Sequence, residues 1–229
     1  MGFRLGSSSK MVHLAEYLGL KKSEIASADL VAGYTCPGAS LCKSYANPRT
    51  GKVTDAKGSQ FRCYATSLEA VFPSNRRLHW ANFDAMRAAG TVSNMVDEIS
   101  ASLSNKLKVV RIHSSGDFFN ANYFEAWLNV CSNFPAISFF GYTKILPYLK
   151  VNKPDNLHLV YSFGGIYDKQ LTKDIPTAYV LNDLSDAISL NIPVACQNHP
   201  ADDYDYIVKG DSFGLLLHGV QPAKKVKNV

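Results

Sequence analysis

From residue 109 onward, short runs rich in β-branched and aromatic residues alternate with helical or loop-forming stretches, and this alternation restricts the fold more than any other feature of the chain. The strand-like runs cover 109–113, 137–143, 157–162, 178–181, 192–196 and 213–218. Between the first two, residues 122–133 place Tyr123, Phe124, Trp127, Leu128 and Cys131 on one broad face, the mark of an amphipathic helix. Strand, helix and strand repeated in this way imply parallel pairing with right-handed crossovers. Two further helices are expected upstream, over 75–89 and 92–103, the second from the spacing of Val92, Met95, Val96, Ile99 and Leu103. The predicted fold class is α/β, a largely parallel sheet curled as a partial TIM-barrel-like structure. With 46% hydrophobic residues in 229, one α/β domain over 1–229 has apolar mass enough for a real core.

The first 66 residues differ in character, being rich in Gly, Ser, Thr and Lys, with a single helical pattern at 11–20. This loop-rich segment carries Cys36, Cys42 and Cys63, and its order is expected to depend on what it binds; residues 67–229 supply the helices and the β/α core. Thiolates are soft, charged donors, and gathering several is unfavourable unless a cation offsets their repulsion. Pro37 and Gly38 turn the short loop between the first two cysteines. Five cysteines in a chain too large to need disulfide staples favour metal binding over cross-links. Cys196, ending the fifth strand-like run, is the natural fourth ligand, whereas Cys131 on a helix's apolar face reads as a buried small hydrophobe.

Neither spacing is the short knuckle of a structural zinc site, so a four-iron four-sulfur cluster ranks ahead of zinc as the alternative. With Cys36, Cys42 and Cys63 alone, one iron stays open for a substrate or cofactor. With Cys196 added, the site is closed and suits electron transfer or structural support.

Parallel sheets present functional groups at the carboxyl ends of their strands. Here those ends carry His113, Ser115 and Asp117 after the first run, Lys144 after the second, Gly164-Gly165 after the third and His218 after the last. His113, Ser115, Asp117 and Lys144 are the candidate catalytic groups, for acid/base chemistry and for holding an anionic substrate. The turn-and-cap reading of the first three, and a solvated lysine, stand beside that one. The acidic run Asp202, Asp203 and Asp205 is read as a solvated loop.

The segments Tyr34-Thr35-Cys36-Pro37-Gly38-Ala39-Ser40-Leu41-Cys42, Phe61-Arg62-Cys63, Arg111-Ile112-His113-Ser114-Ser115-Gly116-Asp117-Phe118-Phe119, Tyr142-Thr143-Lys144 and Leu215-Leu216-Leu217-His218-Gly219 resemble the phage gene product 88 family. That resemblance implies viral origin and the host cytoplasm. A more remote similarity is to radical S-adenosylmethionine enzymes, whose partial barrels carry a four-iron four-sulfur cluster on three loop cysteines. Their cysteines lie closer in sequence; here five residues separate the first two and twenty the next. The similarity implies a cluster on Cys36, Cys42 and Cys63, with S-adenosylmethionine as a further ligand and redox or radical-type activity.

A net charge of +5 permits nucleic-acid binding, the rival function, in which the metal is structural. Its candidate contacts are Arg62, Arg76, Arg77 and the tail lysines Lys224, Lys225 and Lys227, with Tyr45, Tyr64 and Trp80 for stacking. No apolar run approaches a membrane span and the first ten residues lack a signal-peptide core, so no membrane partner is expected.

Overall fold

The computed structural model describes residues 2–218 and 221. Six parallel strands form the main sheet: β1 (Ile25–Ala28), β4 (Val109–Ile112), β5 (Ser138–Thr143), β6 (Leu157–Ser162), β7 (Thr177–Leu181) and β8 (Phe213–Leu216). They pair in chain order from β1 at one edge to β8 at the other. The parallel α/β expectation is met by this sequentially wound sheet. Between β1 and β4 the chain leaves the sheet to form an antiparallel pair, β2 (Ser44–Ala46) with β3 (Val53–Asp55). The helices α2 (Tyr64–Val71), α3 (Pro73–Ala89) and α4 (Val92–Ser102) follow it, and the shorter α6 (Leu146–Leu149) and α7 (Leu184–Leu190) follow β5 and β7.

Alternation along the strands sends side chains to two cores. Val110, Ile112, Phe139 and Leu159 face one side, where they pack with Met86, Ile99 and the apolar stripe of α5 (Ala121–Asn133): Tyr123, Phe124, Trp127, Val130 and Cys131. Cys131 is thus a core residue. The side chain of Asn120 starts α5 by accepting from the Tyr123 N–H at 2.8 Å. The opposite face carries Ile25, Val109, Phe140, Val160, Ala178 and Phe213, which pack against Met11 and Leu14 of α1 (Ser9–Tyr17) and Ile207 of α8 (Asp203–Lys209).

Three segments depart from the sequence pattern. The helix expected at 11–20 begins two residues earlier, capped by Ser8, and ends before Gly19, whose φ of 66° breaks it. Residues 192–196 do not form a strand: Pro193 has no N–H to give, only Val194 bridges Gly214, and Cys196 turns the chain away at φ 63°. The acidic run is not a solvated loop; Asp203 is buried at the start of α8, held by Lys10 Nζ at 2.6 Å and the Tyr142 hydroxyl at 2.5 Å. Ile207 is the apolar residue this helix buries, and the carboxylates of its first turn favour the helix dipole.

The segment after β1 is anchored by a buried carboxylate on α2. Glu69 Oε1 accepts from the Ala32 N–H at 2.9 Å, from Ser115 Oγ at 2.9 Å, and faces His79 Nδ1 at 2.7 Å. One side chain therefore ties the loop before Cys36, the end of β4 and α3 together. Glu69→Ala would strand three buried polar groups and is expected to lower the urea-unfolding free energy by about 3 kcal/mol or more, whereas Glu16→Ala, at an exposed position of α1, should leave it nearly unchanged.

Candidate metal centre

The loop from Cys36 to Cys42 lies across the carboxyl end of β6. The N–H groups of Ser40 and Leu41 donate to the Gly164 carbonyl at 3.1 and 3.0 Å, and the Ile166 N–H donates to that of Gly38 at 2.9 Å. Gly38 is required for the approach: a Cβ there would sit 2.6 Å from the Lys144 carbonyl oxygen. Ser44, beginning β2, joins the remaining pieces; its Oγ donates to the Cys42 carbonyl at 2.9 Å and accepts from the Cys63 N–H at 3.1 Å. Cys63 in turn precedes the first residue of α2.

Cys36, Cys42 and Cys63 are brought together, in a small cluster with Ala39, Phe61, Leu41, Val180 and Leu217. Burial, then the charges of Asp117, Cys63 and Cys42, push the Cys36 thiol well up, while the Gly33 N–H pulls it back. Burial and Cys42 raise Cys63 to about 11, opposed by the N–H groups of Thr66 and Ala65 and by Lys144. Without a cation, two of these thiols are therefore held protonated at neutral pH, and metal binding there releases protons. Among the described residues, no set of three His, Cys, Asp or Glu side chains is close enough to hold a single metal ion.

Cys196 is not part of that cluster. Its sulfur is 3.4 Å from Lys10 Nζ, and it packs on the opposite core with Met11, Phe140 and Ala195. Asp203 and Lys10, rather than the other thiols, are its principal charged neighbours.

The four polar candidates at the strand ends are all buried, and all are engaged. Asp117 Oδ1 accepts from the Phe118 N–H at 2.7 Å and Thr143 Oγ at 2.8 Å, and Oδ2 from the Lys144 N–H at 2.8 Å. Burial outweighs these bonds and lifts its carboxyl to about 6. Lys144 is not a surface lysine: Nζ donates to the Ser162 carbonyl at 2.9 Å, Ser162 Oγ at 3.0 Å and the Phe163 carbonyl at 2.6 Å. Ser115 donates its N–H to Asp29 and its hydroxyl to Glu69. His113, in the left-handed region at φ 65°, has Nε2 3.2 Å from the Tyr123 hydroxyl and, among the described residues, Nδ1 without a partner. His218 is exposed at the same rim, its ring 6.2 Å from that of Tyr64. Ser44, Glu69 and Ser162, which hold the mouth in shape, carry no local motif that would have singled them out.

The basic residues proposed for nucleic acid divide. Arg62 is forked onto Asp55 at 3.0 and 2.6 Å, and Arg76 is buried on the carbonyls of Pro48 and Glu69, so neither is available as a free cation; Arg77 is exposed. Lys224, Lys225 and Lys227 lie outside the described residues. Elsewhere, Tyr34 packs 4.9 Å from Tyr45 and 5.0 Å from Trp80, beside a cavity of about 340 Å³ lined also by Asn47, Lys52 and Thr54.

Fold and mouth define a class: an α/β protein with a sequentially wound parallel sheet and a cluster of three thiols on its carboxyl rim. The chain belongs to the family described as Gene product 88, whose model matches residues 6–215. It is 32% identical over 111 residues to the Gene 88 protein of Mycobacterium phage D29, and equally to that of Mycobacterium phage L5. The match covers 44% of this chain and 46% of each relative, so the chain spans about half the length of the curated relatives it matches. No solved structure matches. The gene product 88 resemblance is thereby borne out; the one to radical S-adenosylmethionine enzymes is not among these matches.

Burial holds the His113 imidazole down to about 3, against 6.5 when free, so its contribution to stability is complete above pH 6.5 and is lost as the pH falls toward 3. Asp117, raised from 3.8, acts in the opposite sense, weakening the fold as pH rises from about 4 to about 6. Between pH 7 and pH 5, His113→Asn, which tolerates the left-handed backbone, should lose about 2 kcal/mol less unfolding free energy than the wild type. Urea titrations at the two pH values measure the difference.

Proposed function

We propose that Cys36, Cys42 and Cys63 hold a four-iron four-sulfur cluster with one iron left open, and that the chain serves redox or radical-type chemistry in the reducing cytoplasm of a phage's host. The observation that carries this reading is the gathering of three thiols from separate stretches of chain over the sheet's carboxyl rim, while Cys196 packs elsewhere. The spacings of the three cysteines, with five and twenty residues between them, are not the short knuckle of zinc, the rival metal.

When bound, such a group supplies electron transfer and a coordination position for a ligand. The chain's own residues do the rest. N–H groups of Gly33, Ala65 and Thr66 stabilise charge on the sulfurs, and the Lys144 ammonium favours the thiolate of Cys63. Phe61, Leu41, Val180 and Leu217 limit water at the thiols. Asp117 and Lys144 fix the rim, and the acid/base roles of His113, Ser115, Asp117 and Lys144 require their internal bonds to open. S-adenosylmethionine is a candidate for the open position, on the strength of the cysteine loop's place after the first of six sequential parallel strands.

Purification without oxygen, with iron, sulfide and zinc analysis and an absorption spectrum, tests the reading. Iron and sulfide in near-equal amounts are expected, lost in Cys36→Ala, Cys42→Ala and Cys63→Ala and retained in Cys196→Ala. Stoichiometric zinc without sulfide would contradict it.

One observation favours nucleic-acid binding as a second reading: Tyr34, Tyr45 and Trp80 meet beside Lys52, a surface on which bases stack. Under it, a fluorescent single-stranded oligonucleotide binds at low salt and about tenfold more weakly to Tyr45→Ala. Absence of binding at low salt removes this reading.

A further inference from the structure

Arg111 is 5% exposed and lies on β4, on the same face as Val109. Its guanidinium is 5.1 Å from the ring centre of Tyr142 and 6.0 Å from that of Phe140. A guanidinium carries five N–H donors. Among the described residues, Arg111 makes one hydrogen bond, Nη2 to the Tyr64 hydroxyl at 3.4 Å, and its Nε is buried without an acceptor. The two acids whose charge it feels most are already engaged. Asp203 accepts from Lys10 and Tyr142, and Asp29 from Ser27 Oγ and the Ser115 N–H. No carboxylate reaches ion-pair distance among the described residues.

A buried cation without a counter-ion is costly, and Arg111 has the fork geometry that grips carboxylate or phosphate. A second group lies on the same strand end: Ser114 Oγ is buried with no partner among the described residues. Tyr64 links the two residues, donating its hydroxyl to the Ser114 carbonyl at 2.5 Å while receiving Arg111. It directly follows Cys63 and is 41% exposed, so Arg111 lies behind a solvent-reaching side chain at the edge of the thiol cluster.

We propose that Arg111 binds the oxyanion, carboxylate or phosphate, of a ligand that enters past Tyr64 beside the three cysteines. This rests on the reading of that mouth as the functional site and adds the chemical class of what it takes. The ligand's anion supplies the acceptor that Arg111 Nε lacks, and its remaining body extends toward the thiols.

Thermal unfolding and calorimetry on the full chain, purified without oxygen, test it with inorganic phosphate and with citrate, against chloride at matched ionic strength. A saturable rise in Tm with phosphate, citrate or both is expected, with the dissociation constant weakened about tenfold or more in Arg111→Gln. Response to one anion alone assigns the source; either supports the proposal. No response in the wild type, or an equal response in Arg111→Gln, would overturn it. Arg111→Met guards against a merely structural role: with the unpaired charge removed it should unfold in chloride at or above the wild-type Tm, and a clear drop would overturn the proposal. Iron and sulfide content, measured on the same samples, separates a failure of the cluster reading from a failure of this one.

Discussion

The carboxyl rim of the sheet is held by one buried pair of residues, Asp117 and Lys144. The carboxylate takes the Lys144 and Phe118 N–H groups and the Thr143 hydroxyl, and the ammonium caps Ser162 and Phe163 at the next strand. Three strand ends, those of β4, β5 and β6, are thereby fixed to one another without any contribution from a cysteine side chain. The cysteine loop then rests on that platform through the Gly164 carbonyl and the close passage of Gly38 over Lys144. Asp117 and Lys144, candidate catalytic groups in the sequence, also brace the mouth in the folded chain.

Much of the architecture is visible in the residues themselves because it rests on large apolar side chains at regular intervals. Trp127 and its neighbours announce α5, and the runs led by Val109, Phe139 and Leu157 announce β4, β5 and β6. What escapes is built from small or polar residues. Ile25-Ala26-Ser27-Ala28 is too short and too mixed to signal a strand, yet it is fully buried and pairs with β4 along its length. The acidic start of α8 conceals a helix because its burial comes from Lys10 and Tyr142, far away in the chain.

The cysteines divide along the same line. Cys36, Cys42 and Cys63 cluster as their loop-rich, Pro- and Gly-turned setting suggests. Cys196 lies apart from them because its run ends as a turn after Pro193 and not as a strand, which leaves its thiol against Lys10. In the cluster we propose, three thiols would leave a coordination position free where four would close it. Arg111, behind Tyr64 and without an ion-pair partner among the described residues, would give that position a charged neighbour suited to an anionic ligand.

The ligand environment of the irons tests the central claim most directly. Mössbauer spectroscopy of protein purified without oxygen from cells grown on Mössbauer-active iron reads it. Three irons alike and one distinct, with the distinct site altered when a small ligand is added, is the result predicted for a cluster on Cys36, Cys42 and Cys63. Four equivalent thiolate-bound irons, or no cluster signal in protein replete with zinc, would contradict it.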